Sequence, residues 1–110
     1  FGYNFSNLDY VKNLAKIGKK AGIDGLVSSA REIPHLKKNL KNTKMLFVTP
    51  GIRFSNNEIN DEKRINSPGQ AINNGSNMLI IGRSITQSSN PINSIKSILQ
   101  DIEKHYEDKN

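Results

Sequence analysis

The chain has 110 residues, with 16 lysines and arginines against 10 acidic residues and no cysteine. That length suits one domain or part of a larger one, and without cysteine there can be no disulfide and no thiolate metal site. The net charge of +6 admits an anionic partner, but the longest apolar runs, 45–48 and 78–81, are far too short to span a bilayer.

No charged-then-apolar leader is visible, so a soluble, cytoplasmic protein with no membrane partner is the expectation. Phe1, rather than methionine, opens the sequence, as expected of a processed chain or a piece of something longer. Lys19, Lys20, Lys37, Lys38 and Lys41 fall at the ends of predicted helices, where cations favour the dipole. The few aromatics do not interleave with the basic residues as a single-strand binder requires, so nucleic acid is not an expected partner.

In chain order, Ser6 and Asp9 form a capping signature that starts a first helix. Leu8, Val11, Leu14, Ala15 and Ala21 give it a buried stripe, and Gly22 is placed to end it. Residues 23–28 read as a short buried strand. Ser29 to Glu32 repeat the capping signature, and Ile33, Leu36 and Leu40 are the apolar face of the next helix, with Pro34 in its early turns. Residues 44–49 are a second strand, cut off by Pro50 and Gly51.

A polar stretch follows over 53–66, long enough to read as a binding loop or lid. Ser67 and Pro68 restart a helix with a cap and a proline at its first position, Ala71 and Ile72 face inward, and Gly75 ends it. Residues 78–81 are four consecutive apolar positions, right for a strand covered on both faces. That strand stops at Gly82 and is followed by Arg83 and Ser84. Asn90 and Pro91 then open a final helix with Ile92, Ile95, Ile98, Leu99, Ile102 and Tyr106 along one side.

Strict alternation of helix and strand means parallel βα units. Three strands cannot close a barrel, which takes eight strands and roughly 250 residues. The predicted class is therefore α/β, the C-terminal portion of a (β/α)8 TIM barrel with about three parallel strands and flanking helices, incomplete as given. Residues 1–110 would be one part of a single barrel domain. The alternative is a small open parallel sheet.

In either case the strand ends carry the polar residues. Ser28-Ser29, Thr49 to Arg53, and Gly82 to Ser84 would share one rim. Glycine admits a ligand close to the backbone, and arginine grips phosphate bidentately. Arg53 and Arg83 could hold one phosphate from two sides, although Arg53 could equally pair with Asp61 or Glu62. His35 and His105 lie on helices far apart in sequence, and Glu58, Asp61 and Glu62 share their loop with Lys63 and Arg64. No metal site, nucleophile elbow or phosphate-cradling P-loop is present in the sequence, and no complete catalytic constellation.

Four segments, taken together, resemble orotidine 5'-monophosphate decarboxylase: residues 22–32, 48–53 (Val-Thr-Pro-Gly-Ile-Arg), 61–65 and 80–86 (Ile-Ile-Gly-Arg-Ser-Ile-Thr). Pro68, Ala71, Gly75 and Asn90-Pro91 fit the pattern between and after them. The resemblance implies a TIM-barrel homodimer that converts orotidine 5'-phosphate (OMP) to UMP and carbon dioxide in pyrimidine biosynthesis, with no cofactor and no metal. It also implies that the catalytic lysine and aspartates, in an Asp-x-Lys-x-x-Asp arrangement, belong to earlier strands. That arrangement does not occur here, so no catalytic residue is expected in this chain.

By the same resemblance Arg53, Gly82 and Arg83 match the positions that hold the substrate phosphate, with residues 53–66 as a mobile lid. Glu62 stands where the family usually has a phosphate-binding glutamine. An ionised glutamate only accepts hydrogen bonds and repels phosphate. Another phosphate-binding barrel lyase, or a truncated non-catalytic remnant, are the alternatives.

Overall fold

The computed structural model describes residues 7–41, 44–54 and 67–108. Its elements follow the predicted order with one added short helix, α4: α1 (Asn7–Ala21), β1 (Gly25–Val27), α2 (Ile33–Asn39), β2 (Leu46–Thr49), α3 (Pro68–Asn74), β3 (Met78–Leu79), α4 (Arg83–Thr86) and α5 (Pro91–Asp108). The three strands form one parallel sheet in the order β1-β2-β3.

The register decides which side chains meet the helices. Leu26 lies beside Phe47, and Thr49 beside Leu79. Side chains alternate across a strand, so Leu26, Phe47, Thr49 and Leu79 share the face that is packed. Beneath it Phe47 joins Ala15, Ile33, Leu36 and Leu40 in one cluster, with Val11, Leu26 and Met45 at its edge. A second cluster, nearer the strand ends, holds Ala30, Ile52 and Ala71 against Leu79 and Ile81. Burying each large side chain stabilises the fold by about 1.5–3 kcal/mol, so Ile33, Leu36, Leu40 and Phe47 are the main fixed points.

The opposite face carries Val27, Leu46, Met78 and Ile80, which are 70%, 41%, 54% and 54% exposed. These are the residues whose alternation points away from the helices. The expectation of strands covered on both faces therefore holds for one face only among the described residues. An apolar sheet face of this kind is what lines the interior of a closed barrel.

Polar groups lock β2 to β3 where the sheet ends. Thr49 Oγ1 donates to Ser76 Oγ at 2.7 Å, and Ser76 Oγ lies 3.0 Å from the Met78 carbonyl and 3.2 Å from that of Phe47. The Phe47 N–H donates to Asn77 Oδ1 at 2.8 Å. Thr49 and Ser76 are both buried, so each of these bonds satisfies a group that water cannot reach.

Helix ends follow the sequence signals in most places. Ser67 Oγ accepts from the Gln70 N–H, Pro68 occupies the first turn, and α3 stops at Gly75 with φ 112°. That left-handed turn favours glycine, which has no Cβ to clash. Gly22, φ 80°, follows the last residue of α1. Asn90 Oδ1 accepts from the Asn93 N–H at the start of α5. Pro34 lies in the first turn of α2 as expected.

Elsewhere the structure corrects the expectations. The cap of α2 is Glu32, not Ser29, and it makes no side-chain hydrogen bond; the Ser29 carbonyl instead accepts from the Glu32 N–H in a turn. Among the described side chains of α1 only Ala15 is buried, while Leu14 and Ala21 are exposed. Along α5, Ile98 is buried but Ile92, Ile95 and Leu99 are exposed, because α3 covers only part of its apolar side. The strand expected over 78–81 is regular only at Met78–Leu79, although the Ile80 N–H still reaches the Thr49 carbonyl at 2.9 Å. Ser6 lies outside the described residues, so its role as a cap stays a sequence expectation.

Candidate functional site

The polar rim forms where β2 and β3 end. Beyond Thr49, Pro50 and Gly51 turn the chain, with Gly51 at φ 73°, a conformation that a side chain would strain. Ile52 then drops into the second cluster at 1% exposure and anchors the segment from below. Arg53 comes next and is exposed; its Nη1 donates to the Ile52 carbonyl at 3.1 Å. The Phe54 N–H donates to Ser84 Oγ at 3.0 Å.

On the other strand, Ile81 packs into the same cluster and the chain passes through Gly82 into α4. The Gly82 carbonyl accepts from Ile85 at 2.9 Å and Thr86 at 3.0 Å, which fixes the start of that short helix. A Cβ placed on Gly82 would meet no heavy atom within 4 Å. Packing among the described residues therefore makes no demand for glycine there, and the space beside its backbone is open to them. Arg83 opens α4 and is exposed.

The structure thus joins the segment containing Arg53 to the segment containing Gly82 and Arg83 through the hydrogen bond from Phe54 to Ser84. The contributions of β1 are more modest. Ser28 is buried, its N–H donates to the Val48 carbonyl at 3.0 Å, and its hydroxyl lies 3.4 Å from the Ser29 carbonyl. Glu62, Asp61, Glu58, Lys63 and Arg64, and with them all of the expected 53–66 lid beyond Phe54, lie outside the described residues.

Three features were not anticipated. The four-residue helix α4 has no sustained periodicity to announce it. Ser84 clamps Phe54, a role that only proximity in the fold reveals. Ser76 and Asn77 tie β2 to β3; their position between the helix-ending Gly75 and the apolar strand is the one sequence signal that pointed to it. Of the histidines, His35 is exposed, and His105 lies beside Gly69 where α3 meets α5, away from the rim.

A cavity of about 400 Å³ opens at the opposite end of the strands, with Lys37, Lys44, Phe47 and Asn77 in its lining. Lys37 Nζ sits 5.5 Å from the centre of the Phe47 ring. In parallel barrels that end serves stability and the strand C-terminal rim serves chemistry, so the rim is the candidate site. Among the described residues, no group of three or more His, Asp and Glu side chains is placed to hold a metal, and no helix is long and apolar enough to cross a membrane.

An α/β chain with three parallel strands and its polar residues at their C-terminal ends has the architecture of part of a (β/α)8 barrel. Residues 4–98 match the model of the Orotidine 5'-phosphate decarboxylase / HUMPS family, and the chain belongs to that family. Curated relatives named orotidine 5'-phosphate decarboxylase include one from Legionella pneumophila, 44% identical over 90 residues, covering 82% of this chain and 39% of the relative. Another, from Dictyoglomus thermophilum, is 42% identical over 103 residues, covering 94% of this chain and 42% of the relative. Among solved structures, orotidine 5'-phosphate decarboxylase from Lactobacillus acidophilus superposes with a TM-score of 0.73 at 30% identity, over 92% of this chain and 40% of that one. The chain spans about two fifths of the length of the relatives it matches.

Proposed function

We propose that this chain is the phosphate-binding part of an orotidine 5'-phosphate decarboxylase, a cofactor-independent carboxy-lyase that converts OMP to UMP and carbon dioxide. The observation that carries the reading is the tie between the Arg53 and Arg83 segments at one rim, made by the Phe54–Ser84 hydrogen bond. Family membership and relatives bearing that name support it.

On this reading Arg53, Arg83 and the backbone at Gly82 hold the substrate phosphate. Guanidinium groups give charge-assisted, bidentate hydrogen bonds to phosphate oxygens. The phosphate is remote from the carbon that loses its carboxylate, so these residues supply binding energy rather than chemistry. Closing a loop over the substrate is one use of such energy. The lysine and aspartates that act on the carboxylate belong to strands that this chain does not contain, and UMP is the product bound. The working enzyme is a cytoplasmic homodimer.

The test is to assay the full-length product of the gene encoding this chain for carbon dioxide release from OMP. Turnover without added metal or cofactor supports the reading. No turnover of OMP, with activity on a sugar phosphate instead, would make it another barrel lyase of the family. A folded full-length product inert toward every such substrate would make it a non-catalytic remnant.

A further inference from the structure

We propose that Ser84 is a positioning residue that sets the spacing of Arg53 and Arg83 by accepting the Phe54 N–H. The proposal rests on the reading of this rim as a phosphate site. Arg53 has an anchor on each side. Before it, the side chain of Ile52 is buried with Ala30 and Ala71. After it, the Phe54 N–H donates to Ser84 Oγ at 3.0 Å, a well-formed bond between segments 30 residues apart. The backbone of Arg53 is thus held on both flanks.

Ser84 is itself held in place. It is the second residue of α4, whose Ile85 and Thr86 N–H groups both bond to the Gly82 carbonyl. Any shift of the Ser84 hydroxyl is therefore shared with Gly82 and Arg83, and through the bond with Phe54 and Arg53. Arg53 Nη1 donates to the Ile52 carbonyl. An anion offers that guanidinium a stronger, charge-assisted acceptor. Two arginines grip one tetrahedral anion well only when their separation is set beforehand, because otherwise binding must also order the loop.

The hydroxyl is what matters, since serine here uses its lone pair toward a backbone donor. Ser84→Ala deletes the acceptor, whereas Ser84→Thr keeps it. The experiment titrates the full-length gene product with UMP and with uridine, which lacks the phosphate, in the wild type, Ser84→Ala, Ser84→Thr and Arg83→Ala. Loss of one neutral hydrogen bond should weaken UMP binding roughly three- to tenfold in Ser84→Ala. Uridine binding should be unchanged, and Ser84→Thr should restore UMP binding. A merely structural role would weaken both ligands alike and lower the melting temperature, which would overturn the proposal. Wild-type UMP affinity in Ser84→Ala, alongside a loss in Arg83→Ala, would overturn it while leaving the phosphate site intact. A wild type that binds UMP and uridine equally would remove the site and the proposal together.

Discussion

Asp101 Oδ2 accepts the Gly69 N–H at 2.7 Å and so fastens the first turn of α3 to the middle of α5. The carboxylate satisfies one of the donors that a helix start leaves unpaired and suits the positive end of the dipole. Glycine leaves room for this approach. A Cβ at position 69 would lie 2.7 Å from both Asp101 Oδ2 and His105 Nε2 and collide with the His105 ring. Gly69→Ala should therefore destabilise the full-length protein by roughly 1–3 kcal/mol. Urea unfolding checks this, and an unchanged midpoint would show that the two helices part at no cost.

The buried Thr49–Ser76 bond makes a second prediction. Thr49→Val keeps the shape but leaves Ser76 without its donor partner, and should cost about 1 kcal/mol of stability. Thr49→Ser should retain the bond. Chemical denaturation of the pair separates the hydroxyl from the methyl. Equal stability of the valine variant and the wild type would show that the lock contributes nothing.

Gly82 separates folding from binding. No heavy atom of the described residues lies within 4 Å of a Cβ placed there, so Gly82→Ala should leave the unfolding free energy within about 1 kcal/mol of wild type. If the open space is where the phosphate sits, the same methyl should weaken UMP binding about tenfold or more, a loss of roughly 1.4 kcal/mol. Calorimetry on the folded variant decides, and full affinity would place the phosphate elsewhere.

On the proposed function, Arg83→Ala removes a charge-assisted partner of the phosphate worth about 1.5–3 kcal/mol. The Michaelis constant for OMP should rise on the order of ten- to a hundredfold, with a smaller change in kcat, because the phosphate is remote from the reacting carbon. Steady-state kinetics on the full-length product report both values. An unaltered Michaelis constant would contradict the assignment.

Glu62 lies outside the described residues, and the argument for it is chemical. An amide can donate to a phosphate oxygen where a carboxylate only repels. Glu62→Gln should tighten UMP binding in a titration of the full-length protein. Equal or weaker affinity would mean that the carboxylate turns away from the ligand.

The order of elements was legible because each depends on local chemistry. Ser67-Pro68 and Gly75 bracket α3, Asn90-Pro91 opens α5, and Ile33, Leu36 and Leu40 mark one face of α2 at helical spacing. Burial was legible only where the partner lies within this chain. Val27, Met78, Ile92 and Leu99 have the apolar character of core residues but are exposed among the described residues. Hydrophobicity states that a side chain is suited to a core, not which surface covers it. Long-range polar pairs were beyond reach of pattern: nothing local to Ser84 or Phe54 signals that they meet, and nothing at Asp101 signals Gly69. At the rim, residue types were readable as Gly82, Arg83 and Arg53, and their juxtaposition required the fold.

The most direct measurement of the central claim is a crystal structure of the full-length gene product with UMP bound. The account predicts the phosphate against the Gly82 backbone, with the guanidinium groups of Arg53 and Arg83 within about 3 Å of its oxygens and the Phe54–Ser84 bond retained. A nucleotide bound with its phosphate away from Gly82, and both arginines in solvent, would contradict it.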